Sequence, residues 1–384
     1  MIPYGRQDIT QADIDAVIGV LQSDFLTQGQ EVNFFEEKIA KYCDAKYAVA
    51  VNSATSALHI ACLALGLREK DLVWTTPITF VASANCALYC GAQIDFVDIN
   101  PVTLNLCINA LAEKLEKSKS LGRLPKIVIP VHFAGTPCDM EAIYLLSKKY
   151  GFKIIEDASH AIGARYQGEV VGKCQFSDIT IFSFHPVKII TTGEGGAAVT
   201  NQSKLADKMS MLRSHGITRD PMHMSRTPVG PWYYEQNFLG FNYRMTDIQA
   251  ALGISQMNRL DKYISRRHEI SDRYSQLLID LPVTLPLPSR DSALHLYVIR
   301  LNLEAIKKSF LEIFNAIRAG GVGVNVHYIP VHLQPYFSRL GFSVGDFPEA
   351  EKYYKEAISI PIYPKLTEAE LIKVSSVIKS AILE

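Results

Sequence analysis

The chain has little that marks a secreted, metal-bound or nucleic-acid-binding protein. Its seven cysteines are scattered and no two form a CxxC pair. Cys86 and Cys90 stand four apart, but no second pair completes a zinc ligand set, so no metal site is expected. An odd cysteine count without a framework points to a reducing compartment. Net charge is also lacking: Lys+Arg and Asp+Glu are equal at 39 each. No long-range field therefore favours nucleic acid or an anionic membrane. Long apolar runs are missing as well. The most apolar window, Phe80 to Val97, is interrupted by Asn85, Gly91, Gln93 and Asp95 and does not read as a membrane span. The first residues, MIPYGRQDIT, carry neither the basic region nor the apolar core of a signal peptide. No repeat or low-complexity tract is present. These absences lead us to expect a soluble, cytoplasmic, enzyme-sized protein without a membrane or nucleic-acid partner. Its 384 residues suffice for two domains.

What is present is an alternation. After helical patches at Gln11–Leu21 and Phe34–Tyr42, short apolar runs alternate with helical ones. Strands are expected at Tyr47–Val51, Leu72–Thr75, Ile94–Val97, Lys126–Val131 and Lys153–Glu156. Helices fall between them. This pattern predicts an α/β fold with an open, mostly parallel sheet covered on both faces. Ligands in such sheets bind beyond the carboxyl ends of the strands. Further on, Thr218–Gly240 reads as a long loop and Thr246–Leu278 as one or two helices. A smaller α+β unit follows, with strands at Leu294–Leu301 and Val324–His327 and helices at Lys307–Arg318 and Glu368–Ile382. The expected domains are 1–260 and 261–384.

The organising stretch is Asp178 to Thr200, DITIFSFHPVKIITTGEGGAAVT. Two β-prone runs flank a lone lysine, Lys188, and the glycine cluster Gly193-Glu194-Gly195-Gly196. A lysine just past a buried strand can reach a cleft, where its amine can attack a carbonyl. A plain hairpin with an exposed lysine reads equally well. Asn52-Ser53-Ala54-Thr55-Ser56 lies between a strand and a helix, where free backbone N–H groups favour an anion; ordinary N-capping is the alternative. Glu156-Asp157 closes a buried strand, and a carboxylate there needs a partner. A protonated pyridine nitrogen fits, as does a helix cap or a structural ion pair. Ser183 adds a further phosphate donor, and Phe80 offers a ring to stack on a flat cofactor or to pack in the core. A phosphate cradle, a stacking ring, an acid and a lysine, in that order on an α/β chain, suit pyridoxal 5′-phosphate (PLP).

The stretches SAT (53–55), PITF (77–80), EDASHAIGA (156–164), SFHPVK (183–188), GEGG (193–196) and GFNYRMTDIQAALG (240–253) resemble the DegT/DnrJ group of PLP-dependent sugar-nucleotide aminotransferases. The resemblance spans nearly the whole chain and implies fold-type I, with a large cofactor domain and a small C-terminal one. It implies that Ala54, Thr55 and Ser183 hold the cofactor phosphate, with Asn242 reaching over from a second subunit of a homodimer. It further implies that Phe80 stacks on the pyridine, Asp157 pairs with its nitrogen, His160 lies near the ring hydroxyl and Lys188 carries the cofactor. Some relatives have histidine at the lysine position and dehydrate sugars instead; Lys188 points to transamination.

IPYGRQ, SDFLTQG, NSATSALHIACLALG, WTTPITFVASANCALYCGA and VNVHYIPVHLQPYF are similar to a narrower group. These are the transaminases that make UDP-4-amino-4,6-dideoxy-N-acetyl-β-L-altrosamine for pseudaminic acid. That likeness implies L-glutamate as amino donor and a UDP-linked 4-keto sugar as acceptor. The sugar would face Tyr4, Asp24, Phe25, Leu26, Thr27, Asn325, Val326, His327 and Tyr328, though surface packing explains these residues equally well. Another nucleotide-linked 3- or 4-keto sugar, or a PLP-dependent dehydratase or lyase reaction on the same fold, remains open at this point.

Overall fold

The backbone follows the alternation of apolar runs. The computed structural model describes residues Met1–Glu384. Helices α1 (Gln11–Leu21) and α2 (Glu31–Tyr42) precede the first strand. There follow β1 (Tyr47–Val51), α3 (Ala54–Ala64), β2 (Leu72–Thr75), α4 (Ala82–Tyr89), β3 (Gln93–Phe96), α5 (Ile108–Ser120), β4 (Ile127–Val128), α6 (Met140–Tyr150) and β5 (Lys153–Asp157). A small hairpin, β6 (Arg165–Tyr166) and β7 (Glu169–Val170), leads to β8 (Ile179–Ser183) and β9 (Gly196–Thr200). The seven main strands form one sheet in the order β1-β9-β8-β5-β4-β2-β3. From β3 across to β8 every pairing is parallel. Only β9 runs against its neighbours, pairing antiparallel with both β8 and β1. The mostly parallel sheet expected from the sequence is therefore what forms. Its inner strands are apolar without alternation because helices cover both faces; β8 and β9 are buried at every position.

Beyond β9 come α7 (Ser203–Arg213) and a short hairpin, β10 (Ile217–Thr218) with β11 (Glu235–Gln236). The expected loop of 218–240 is thus an arm between paired strands, and its Met222, Val229 and Trp232 are exposed. The helical stretch after Thr246 is two helices, α8 (Asp247–Met257) and α9 (Leu260–Leu278). Thr246 and Gln249 cap each other at the start of α8.

The C-terminal region builds a second, antiparallel sheet in the order β12-β13-β14, from β12 (Val283–Thr284), β13 (Tyr297–Leu301) and β14 (Ala357–Ile360). Helices α9, α10 (Phe310–Ala319) and α13 (Glu368–Leu383) bury Tyr274, Ile313, Val374 and their neighbours on it, and Ile2 joins this core from the other end of the chain. In the opposite sense, α11 (Pro335–Ser338) and α12 (Pro348–Glu356) send Phe337 and Tyr353 into the core of the large sheet. The strand expected at Val324–His327 does not form. Only Asn325 pairs, exchanging backbone hydrogen bonds with Ser359. Its side-chain oxygen then takes the Val326 N–H, and the chain turns so that Tyr328 reaches His160. The helix expected from Lys307 starts at Phe310, because Ser309 and Glu312 form its capping box. No helix is long and apolar enough to cross a membrane.

Candidate active site

The site lies where β5 and β8 end and α3 begins. Ser53 caps α3 by accepting from the Ser56 N–H, and the Ser53 carbonyl takes the Ala57 N–H. The N–H groups of Ala54 and Thr55 remain without an intrahelical partner. Gly196 opens β9 directly against them. A Cβ there would stand 2.4 Å from the Ala54 nitrogen and 2.6 Å from the Ser53 carbonyl carbon. Only glycine lets the strand pass so close to the helix start. Ser183, the last residue of β8, is paired with Gly196 and so belongs to the same cradle.

Strand alternation sends the two carboxylates of β5 to opposite sides. Glu156 is the structural one. It accepts from His132 Nε2 at 2.9 Å, from Thr180 Oγ1 at 3.1 Å and from Ser177 Oγ. The Cys138 N–H on His132 Nδ1 fixes the tautomer that donates to it. Burial pushes the Glu156 carboxyl up, but His132 and the two hydroxyls outweigh burial and hold it below the usual carboxylate range. Asp157 is 4% exposed and faces the site. Its Oδ2 accepts from Ser83 Oγ at 2.5 Å, and Ser83 is backed by Thr79 at 2.7 Å. Its Oδ1 accepts the Ser159 N–H at 3.1 Å. A buried carboxylate so held is rigid and still has acceptor capacity to spare.

Lys188 lies in the connection from β8 to β9 and is half-buried. Burial pulls its ammonium down to about 8, with the Asp157 charge pushing back. His160 is buried. Its Nε2 is 3.0 Å from the Tyr328 hydroxyl, and its Nδ1 has no partner in the chain. Burial, with Lys188 and His327 beside it, holds His160 well below its ordinary pKa. Burial first, then Lys188, brings His327 to about 4. Phe80 stands in the turn before α4, 60% exposed, with its ring 6.3 Å from that of Tyr328.

Of the residues expected to meet the substrate, Tyr4, Asn325, His327 and Tyr328 come together here. The Tyr4 ring is 5.3 Å from that of His327, with Asn325 beside its hydroxyl. Val326 is half-buried beside them. Asp24, Phe25, Leu26 and Thr27 are placed elsewhere within one chain. They are exposed beside α8, with Leu26 O accepting from Asp247 N–H and Phe25 lining a groove between α1 and α8. Asn242 is exposed on its own chain, where it bridges to Ser214. Sequence reasoning missed Ser83, His295 and Arg267. Ser83 had a signal: it falls one helical turn after Phe80, beside the strand end that carries Asp157.

These residues fit PLP. Two free N–H groups lie at a helix start cleared by glycine, a buried imidazole nitrogen has no partner, and an unstacked ring and a lowered lysine stand nearby. Residues 7–379 match the DegT/DnrJ/EryC1/StrS aminotransferase family. The chain belongs to that family. It is 40% identical over 381 residues to the UDP-4-amino-4,6-dideoxy-N-acetyl-beta-L-altrosamine transaminase of Campylobacter jejuni, covering 97% of this chain and 96% of that one. Among solved structures, Helicobacter pylori PseC, an aminotransferase involved in the biosynthesis of pseudoaminic acid, superposes with a TM-score of 0.90 at 31% identity, over 99% of each chain. The PLP-form of the putative sugar aminotransferase Spr1654 from Streptococcus pneumoniae superposes at 0.88, with 27% identity over 99% of this chain and 98% of that one. The protein is a PLP-dependent sugar aminotransferase of fold-type I.

Proposed function

We propose that the enzyme moves the amino group of L-glutamate to C4 of a UDP-linked 4-keto-6-deoxy-N-acetylhexosamine. The product is UDP-4-amino-4,6-dideoxy-N-acetyl-β-L-altrosamine, on the way to pseudaminic acid. The observation that carries this reading is the convergence of Lys188, Asp157 and His160 with Tyr4, Asn325, His327 and Tyr328 on one face of the strand ends, joined with the likeness to the Campylobacter jejuni transaminase.

Each side chain has a part. The Ala54 and Thr55 N–H groups and the Ser183 hydroxyl hold the cofactor phosphate, and Asn242 is supplied by the second copy in a homodimer. Phe80 stacks on the cofactor ring, Asp157 holds its nitrogen protonated, and His160 meets the ring hydroxyl. PLP, when bound, makes the donor Cα–H acidic and stores the amino group between the two half-reactions. The Lys188 amine takes the proton from Cα of glutamate. In the second half-reaction its ammonium returns a proton to C4 of the sugar. A pKa near 8 lets one amine serve as base and then as acid close to neutral pH. Tyr4, Asn325, Val326, His327 and Tyr328 line the sugar side. Asp24, Phe25, Leu26 and Thr27, exposed beside α8 within one chain, serve the second copy's site or the nucleotide end.

A single-turnover experiment tests this. Glutamate should bleach the visible absorbance of the holoenzyme, and UDP-2-acetamido-2,6-dideoxy-β-L-arabino-hexos-4-ulose should restore it. If glutamate bleaches the band and only a different keto sugar restores it, the proposed substrate is wrong.

A further inference from the structure

His295 lies between α9 and β13, 135 positions after His160 in the chain. In the fold its ring is the nearest aromatic neighbour of His160, with centroids 4.4 Å apart and planes tilted by 44°. The rings of Tyr328 and Phe133 stand farther off, at 6.1 and 6.3 Å. Gly135, at φ 98°, makes the approach possible. A Cβ there would fall 2.9 Å from the His160 carbonyl oxygen and from the Leu294 nitrogen. Two backbone hydrogen bonds dock the segment, Ala293 N–H to Gly135 O at 3.0 Å and Leu296 N–H to Ala134 O at 3.3 Å. From the far side Arg267, 1% exposed, donates to the carbonyls of Leu294 at 3.0 Å, His295 at 3.3 Å and Ile362 at 3.2 Å. The backbone of His295 is thus gripped on both sides.

The charged groups that act on the two imidazoles are cationic, with the Asp157 carboxylate one step away beside Lys188 and Tyr328. His160 faces His295, Tyr328, Lys188 and His327; His295 faces His160, Lys188, Arg267 and His327. Burial and these neighbours keep both imidazoles unprotonated. A neutral ring gains no orientation from ion pairing, so packing must supply it. His160 has one hydrogen bond, to Tyr328, and that leaves rotation about the bond axis to be stopped by its nearest ring.

We propose that His295 is a positioning residue for His160, holding that ring in its orientation against the cofactor by close, tilted ring packing. This rests on the reading of His160 as a cofactor contact. The test uses the full enzyme with His295→Phe, His295→Ala and, as a control, His160→Ala. Three readouts are taken: affinity of the apoprotein for PLP, the pH titration of the holoenzyme's visible absorbance, and kcat with KM. His295→Ala should move affinity and titration in the same direction as His160→Ala. It should lower kcat about a hundredfold, the cost of a misplaced group, with KM nearly unchanged. His295→Phe keeps a ring against His160 and should restore all three towards wild type. A folded His295→Ala with wild-type affinity and titration, beside an altered His160→Ala, overturns the proposal. So does a His295→Phe as impaired as His295→Ala, since the nitrogen and not the ring would then matter. Should His295→Ala fail to fold, His295→Leu, which fills the space without a ring, takes its place in the same comparisons. If His160→Ala itself changes neither affinity nor titration, the reading beneath is wrong and the proposal falls with it.

Discussion

Glu156 and Asp157 are adjacent carboxylates, and exchanging each for its amide should damage the enzyme in opposite ways. Glu156 has three partners inside the chain: His132, Thr180 and Ser177. An amide keeps the shape, and the two hydroxyls can rotate to accept from it. Each contact therefore changes from charge-assisted to neutral and is not simply lost. At about 1 kcal/mol for each such change, Glu156→Gln should destabilise the fold by about 3 kcal/mol. Its kcat should stay close to wild type, because its side chain points away from Lys188. Asp157 has only two partners, Ser83 and the Ser159 N–H, and both can bond an amide as well. By the same count Asp157→Asn should cost about 2 kcal/mol of stability, less than Glu156→Gln. On the proposed pairing of Asp157 with the cofactor nitrogen, the variant's kcat should fall at least about a hundredfold.

Urea unfolding followed by circular dichroism, with kcat on the same preparations, separates the two. The pH dependence adds a sign. The Glu156 carboxyl is held below its unfolded value. Its contribution is therefore present above the unfolded pKa, near 4.3, and is lost as pH falls through the lower folded value. The stability gap between wild type and Glu156→Gln should close in acid. A Glu156→Gln enzyme with wild-type stability and no turnover, or an Asp157→Asn enzyme with full turnover, would refute the assignment of the two faces.

Three further outcomes follow from the geometry. The rate at which apoprotein takes up PLP should rise with pH through about 8, because the free amine of Lys188 is the nucleophile, and Asp157→Asn should shift that rise to lower pH by removing the charge that pushes the pKa up; stopped-flow absorbance checks both, and a flat profile would contradict the buried amine. Gly196→Ala should weaken PLP binding at least about tenfold, roughly one or two lost hydrogen bonds, because its Cβ would strike the Ala54 nitrogen; equilibrium dialysis measures it, and unchanged affinity in a folded variant would remove the cradle. Cys90 should be the first thiol alkylated by iodoacetamide at neutral pH, since Cys62 and then His59 hold its pKa down and it is half-exposed, while burial and its neighbours push the Cys62 thiol up; peptide mapping reads the order of labelling.

The parallel sheet was legible because its inner strands are buried on both faces and centre on short apolar runs separated by helical ones, although the edge strand β3 alternates. The small sheet was not, because its pairing partners stand far apart in sequence. Val324–His327 has the composition of a strand, yet only Asn325 pairs, on the edge of β14 away from β13. Past it the His327 carbonyl accepts from the Tyr353 hydroxyl at 2.6 Å and is not offered to a ladder. Propensity cannot report a contact made by a side chain 26 positions away.

The same physics divides the site. The positions of Asp157, Ala54, Thr55 and Ser183 were legible because each lies at the end of its own strand or the start of its own helix, and that of Lys188 because it follows in the connection between two strands. Ser83, His295 and Arg267 act by touching something else. Ser83 matters only because Asp157 is 2.5 Å away, and Arg267 only because three carbonyls converge on it. An arginine on an amphipathic helix reads as a solvent-facing charge until the fold brings the Leu294–His295 segment and Ile362 over it. Its cost of burial, visible as a guanidinium pulled down to about 10, is tolerated where it clamps the segment that carries His295 onto the loop that carries His160. The contacts that join the C-terminal sheet to the strand ends of the large one are thus the part of the site that only the folded chain reveals, and they converge on His160, whose buried Nδ1 has no partner in the chain.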